Sequence, residues 1–305
     1  MKRAVSVSLG SSTRDKRVII TLKGEQISVE RIGTDGDAEK ARRLFAELDG
    51  HVDALGVGGV DVYLRLGERE YPLHAALKLV QDVHQTPVVD GRGLKHTLER
   101  RVFELAAREL DGRPHFHRTF VPVAVDRLGL AEAVAEVSDE VTIGDLMIAL
   151  GIPIPIRGIP AYRRLARVLF PIVSHFPMSM LFYGSGGNEK PTPKYQRYYA
   201  DADLIAGDFL FMHKHLPADL TGKTVVTNTT TEQNIELLQA RGVRLVITTT
   251  PRYEGRSFGT NMTEAALTAY AGQGRSLTDA ELNALIDELD LRPSVQQLNA
   301  DSPTR

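Results

Sequence analysis

The short run Asp90-Gly91-Arg92-Gly93-Leu94-Lys95 is where residue types in this 305-residue chain first suit chemistry. A carboxylate near a primary amine makes an acid–base pair when both reach one substrate hydroxyl, so Asp90 and Lys95 are the catalytic candidates. The same residues also suit a plain helix start, with Asp90 as N-cap and Lys95 as a first-turn charge. A second cluster is Gly184-Ser185-Gly186-Gly187, where backbone amides can approach a phosphate. Asp208 lies about 20 residues beyond it, the distance at which an acid reaches a ribose hydroxyl in dinucleotide-binding units. Asn228, Thr229 and Thr249 stand at the ends of the next two expected strands and complete a polar crest. The residues from Asn228 to Thr231 would equally serve as a helix cap. The cofactor expected there is NAD or NADP. An aspartate facing ribose favours NAD, while Lys190 and Lys194 keep NADP open. Ser6 and Ser8 on the first strand, with Arg92 and Arg256, are the candidates for holding a hydroxylated, carboxylated substrate.

The histidines do not suggest a metal. His213 and His215 are two apart on an expected helix, which points them away from each other. His115 and His117 on a strand can chelate together, but no third ligand is near in sequence. The chain has no G-x-S-x-G elbow, no Walker A loop and no H-E-x-x-H pair.

These residues need elements to position them. Apolar periodicity gives strands at residues 4–9, 17–22 and 26–31, a helix at 38–48, and a strand at 52–57. Short strands follow at 62–66, 70–73 and 86–89, then one long amphipathic helix at 94–110. After Arg113 to Arg118 the rhythm becomes strand–helix alternation. Strands are expected at 120–125, 178–183, 203–207, 223–228 and 243–248. Helices are expected at 128–137, 143–150, 162–174, 194–200, 210–216, 232–240, 263–270 and 276–289, the last opened by the capping box Thr278-x-x-Glu281. The polar tail from Pro293 reads as loose. The fold class is therefore α/β: an N-terminal mixed α/β domain over 1–114, then a Rossmann-like domain with a mostly parallel sheet over 115–275, and a C-terminal helix and tail over 276–305.

Composition narrows the partners. Net charge is −2 with 37 basic and 39 acidic residues intermixed, so no single-sign field awaits a nucleic acid. There is no cysteine, which excludes disulfides and thiolate chemistry and suits a reducing cytoplasm. No apolar stretch reads as a signal peptide or a membrane span. The partners expected are a small-molecule substrate and a second copy in a homodimer, without nucleic acid or membrane.

The segments SVSLGSSTRDK, TPVVDGRGLKHTLERR, VTNTTTEQ, VITTTP and SFGTNMTEAAL resemble, over nearly the full length, a bacterial family that carries the name quinate 5-dehydrogenase. The resemblance implies kinship with shikimate and quinate dehydrogenases, whose N-T-D-G-x-G segment supplies a catalytic aspartate. Asp90-Gly91-Arg92-Gly93 matches that segment from the aspartate on, while Val88 and Val89 replace the Asn and Thr. The implied activity is NAD(P)-dependent oxidation of a cyclic polyol acid. Two alternatives stand beside it. One is a non-catalytic nucleotide-binding protein. The other is an ATP-dependent enzyme on the actin and sugar-kinase plan, suggested by three strands, a helix and a strand with Gly10-Ser11-Ser12-Thr13 after the first strand.

Overall fold

Lys23 and Gly24 both take positive φ, 46° and 87°, and this pair closes the first hairpin. Two left-handed residues in a two-residue loop match the twist of the flanking strands. The computed structural model describes residues 1–110, 112–181, 194–253 and 256–300, with side chains at all of these but 252, 253, 256 and 257.

In chain order, β1 (Lys2–Ser8) is followed by the hairpin of β2 (Lys16–Leu22) and β3 (Glu25–Gly33). Five consecutive buried residues in β1 mark a central strand, whereas β2 alternates between buried and exposed, as an edge strand with one wet face does. Next come α1 (Ala38–Leu48), β4 (Ala54–Gly58), β5 (Tyr63–Leu66), β6 (Arg69–Pro72), α2 (His74–Leu77) and β7 (Val88–Val89). The long helix expected over 94–110 is instead two short pieces, α3 (Arg92–His96) and α4 (Val102–Leu105). Leu94, Leu98, Val102 and Leu105 are buried all the same. Their periodicity reports which side chains are covered; the break comes at Thr97, whose hydroxyl donates back to the Gly93 carbonyl at 2.8 Å.

The chain continues with β8 (Phe116–Val121), α5 (Leu128–Ala135), β9 (Ser138–Ile143) and α6 (Asp145–Ile148). A helix was expected over 143–150. Ser138, Asp139 and Glu140 hid the strand before it, because its first half is polar and exposed. Then come β10 (Ile156–Arg157), α7 (Gly158–Val173) and α8 (Met178–Leu181). The strand expected over 178–183 is corrected: the Pro177 carbonyl accepts from Met180 N at 2.9 Å and Leu181 N at 3.3 Å, a helical turn. A short apolar run cannot by itself separate the two states.

The regular stretch follows as α9 (Gln196–Asp201), β11 (Leu204–Ala206), α10 (Phe209–His215), β12 (Thr224–Thr227), α11 (Glu232–Ala240) and β13 (Leu245–Thr248). The chain ends with the ribbon β14 (Arg252–Tyr253) and β15 (Arg256–Ser257), then α12 (Thr260–Ala271), α13 (Asp279–Glu288) and β16 (Ser294–Gln297). The tail expected to be loose thus contributes a strand. Among the described residues no helix is long and apolar enough to cross a membrane.

The protein is mixed α/β, and both main sheets contain parallel strands. It packs into two compact units. Unit 1 takes the described parts of Met1–Thr97, Ala166–Asn188 and Gly259–Asp290; unit 2 takes those of Leu98–Leu165, Glu189–Phe258 and Leu291–Arg305. The cuts expected at 114/115 and 275/276 differ from this division, because each unit draws elements from separate parts of the chain. Unit 1 holds a five-stranded sheet in the order β2-β3-β1-β4-β7, parallel except for β2. Its covering helix α12 is rich in alanine and packs on β1, β3 and β4. Close packing requires glycine in β4: a Cβ at Gly58 would stand 2.8 Å from the Ser8 Cβ and 3.1 Å from Asn261 Nδ2. Unit 2 holds a seven-stranded sheet in the order β10-β9-β8-β11-β12-β13-β16. Its five central strands are parallel and its two edge strands antiparallel. Phe120, Tyr199, Ile205, Phe209, Met212, Val225, Leu238 and Val246 are buried in one cluster beside it.

Candidate functional site

In an open parallel sheet, ligands bind past the carboxyl ends of the strands where the order of strand addition reverses. In unit 2 that reversal falls between β8 and β11, since β8 is followed by β9 on one side and by β11 on the other. The loop leaving β8 carries Asp126 and Arg127. Arg127 is 4% exposed, and its guanidinium meets three carboxylates: Glu99 at 2.5 Å, Asp208 at 2.8 Å and Asp126 at 3.5 Å. Burial alone would lower the arginine's pKa, but Glu99, Asp208 and Asp126 outweigh it and raise it. Asp208 leaves β11 and is the N-cap of α10, accepting from Leu210 N at 2.8 Å. Its other oxygen accepts from Arg127 and from Asn228 Nδ2 at 2.9 Å.

The ends of β12 and β13 supply hydroxyls and amides. The Thr249 hydroxyl donates to Glu99 at 3.4 Å, and the Thr250 hydroxyl lies 2.7 Å from the carbonyl oxygens of Asn228 and Phe258. Thr231 caps α11 in a capping box with Asn234, so the cap expected in this stretch is present. Thr229 is half-buried just past the end of β12. Beneath the β8 loop, Asp145 accepts from Ala124 N at 2.9 Å and Val125 N at 2.8 Å, with the Tyr162 hydroxyl at 3.4 Å. Burial pushes the Asp145 carboxyl up to about 7, against those two amides, with Asp126 adding to the rise. Arg127, Glu99, Asp126 and Asp145 were not singled out from sequence. The signal was present in Asp126-Arg127 directly after a strand, but the expected strand end at residue 125 left it looking like a helix start.

In unit 1 the reversal lies between β1 and β4. Ser6 and Ser8 are both buried there. Ser6 accepts from Asn261 Nδ2 at 2.6 Å; Ser8 accepts from Gly10 N and from Arg31 Nη2, each at 3.1 Å. Their hydroxyls therefore already have partners within the fold. Asn261 is inside α12, whose N-cap is Gly259, and ties that helix to β1. Asp90 accepts from three backbone amides, Val62 at 2.8 Å, Tyr63 at 3.2 Å and Arg92 at 3.1 Å. Lys95 is buried and donates to both oxygens of Asp61, at 2.6 and 2.7 Å. The expected Asp90–Lys95 pair is thus replaced by two separate structural contacts, and Asp61 is the partner sequence reasoning missed. Arg92 lies 3.2 Å from Glu70, stacks over Tyr63 and stands 4.0 Å from Asp90. Glu264 of α12 is buried and accepts from Leu94 N at 3.1 Å. Burial, then the charge of Asp90, push its carboxyl up to about 8.

Gly184, Ser185, Gly186 and Gly187 lie outside the described residues, as does the side chain of Arg256.

Residues 93–298 match the family model described as Domain of unknown function (DUF8754), and residues 3–90 match Domain of unknown function (DUF8753). No curated protein matches the chain. Among solved structures, a crystal structure from Mycobacterium smegmatis is similar at 13% identity, with 94% of each chain covered and a TM-score of 0.30. A second from the same organism, in complex with β-D-fucofuranose, has 11% identity, covers 91% of this chain and 88% of that one, and has a TM-score of 0.32.

Proposed function

We propose that this chain, which belongs to the family described as Domain of unknown function (DUF8754), holds NAD or NADP at the strand ends of a Rossmann-like unit 2 and acts as an oxidoreductase on a cyclic polyol acid such as quinate or shikimate. The observation that carries the reading is the reversal between β8 and β11, with Asp208 and Asn228 leaving the adjacent strand ends. A carboxylate offers about four acceptor positions. Three of those on Asp208 are taken by Leu210 N, Arg127 and Asn228, which leaves one for a ribose hydroxyl. The half-buried Thr229 at the next strand end is a second polar contact for such a ligand. The absence of cysteine suits a reducing cytoplasm, where such cofactors are abundant.

A second reading is favoured by the unit 1 geometry. Asp90 is engaged by three amides and Lys95 by Asp61, so neither is poised as an acid or base. That supports a nucleotide-binding protein without catalysis. Calorimetric titration with NAD, NADP and ATP tests both, on the wild type, Asp208→Asn and Thr229→Val. Micromolar dinucleotide binding, weakened about tenfold in Asp208→Asn, is expected, since each tenfold step is ~1.4 kcal/mol and a charged hydrogen bond is worth about that. NADH formation with quinate or shikimate supports the oxidoreductase; binding without turnover supports the second reading. Preference for ATP supports the kinase alternative. No dinucleotide binding at millimolar concentration ends the oxidoreductase reading and leaves the ATP-dependent and non-catalytic readings.

A further inference from the structure

We infer that His115, His117 and Asp139 form a surface site for one divalent transition-metal ion of the zinc class. The three side chains are brought together by strand geometry. His117 lies on β8, and His115 precedes it by two residues, the spacing that puts two side chains on one face of an extended chain. β9 pairs with β8 in parallel, with Phe116 opposite Ser138 and Arg118 opposite Glu140, so Asp139 falls beside His117. The third ligand that is missing near the histidines in sequence therefore comes from the neighbouring strand.

The distances suit shared coordination. His115 Nε2 lies 3.2 Å from Asp139 Oδ1, and His117 Nδ1 lies 3.0 Å from Asp139 Oδ2. One donor atom from each of the three residues lies within 4.8 Å of the other two. A tetrahedral ion with bonds of about 2.0–2.1 Å holds its donors roughly 3.3 Å apart, so small rotamer changes would close the site. The backbone beneath is fixed, because Asp203 accepts from His117 N at 3.1 Å and Arg118 N at 3.0 Å.

The donor set selects the ion. Two imidazoles and one carboxylate suit zinc, nickel or copper, whereas magnesium and calcium take all-oxygen sets. The side chains are open to solvent, at 62% for His115, 83% for His117 and 54% for Asp139, so water completes the coordination sphere. An ion here would clamp the start of β8 to β9. It stands apart from the nucleotide reading, since it uses none of those residues.

The test is calorimetric titration of Zn²⁺ into the full chain freed of any polyhistidine tag, alongside His117→Ala and Asp139→Asn. Both substitutions are on the surface, and unfolding midpoints measured without metal verify that the variants are folded. One equivalent bound at micromolar affinity is expected, weakened at least about tenfold in each variant. Zinc should also raise the unfolding midpoint of the wild type and not of the variants, while Mg²⁺ and Ca²⁺ leave it unchanged. No saturable binding overturns the proposal, and so does zinc binding that either variant leaves intact.

Discussion

The strand ends of the two sheets solve one problem in different ways. Both place aspartates beyond parallel strands. In unit 1, Asp90 spends its charge on the amides of Val62, Tyr63 and Arg92. In unit 2, Asp208 shares a buried guanidinium with Glu99 and Asp126. Amide contacts fix a loop and leave no strong local field. An arginine ringed by three carboxylates concentrates charge at the very point where a sheet of this order receives ligands. The lesson is that a carboxylate at a strand end has no role until its partners are known.

The contrast can be broken experimentally. Arg127→Leu strips the cation from three carboxylates and should cost the most, about 3–5 kcal/mol in urea unfolding, as for other buried ion pairs that lose one partner. A loss below about 1 kcal/mol would mean that water already screens the cluster, and the difference between the two units would vanish. Lys95→Met in unit 1 should cost less, roughly 2 kcal/mol, because Asp61 keeps some access to solvent that can hydrate it.

Glu264 sharpens the comparison through pH. Its folded carboxyl titrates near 8, above an ordinary glutamate, so the folded state binds the extra proton. Its contribution is full below about pH 4.5 and is lost as pH rises through about 8. Glu264→Gln should therefore match the wild type near pH 4 and exceed it at pH 9, by an amount on the order of 4 kcal/mol. Equal stability of the two proteins at both pH values would refute the buried, protonated state. The smallest effect belongs to Ser6→Ala, which leaves the Asn261 amide without its acceptor and should cost about 1 kcal/mol in the same unfolding assay.

Much of the fold was legible because its signals were local. Residues 38–48 and 232–240 form the expected helices to the residue, and the Thr278–Glu281 capping box is present as read. The strands β11, β12 and β13 lie where short apolar runs placed them. What failed was tertiary in origin. β9 opens with polar residues because that half faces solvent, and β16 is polar because it lies at a sheet edge. The site residues were legible as types but not as partnerships. Asp61 for Lys95, Arg127 for Asp208 and Asp139 for the His115–His117 pair each come from a separate element, at separations that no spacing rule encodes.

Helix α12 has a consequence for how the protein is made. It covers β1, β3 and β4, yet it is encoded by residues 260–271. The first sheet therefore leaves the ribosome with an apolar face bare, and it stays so until most of the chain has been translated. A fragment limited to residues 3–90, the span of the first family match, lacks this helix altogether and should be sticky and unable to fold alone. Nascent chains stalled before residue 260 would be natural clients for chaperones, and release of the final 46 residues, 260–305, would act as the trigger for maturation.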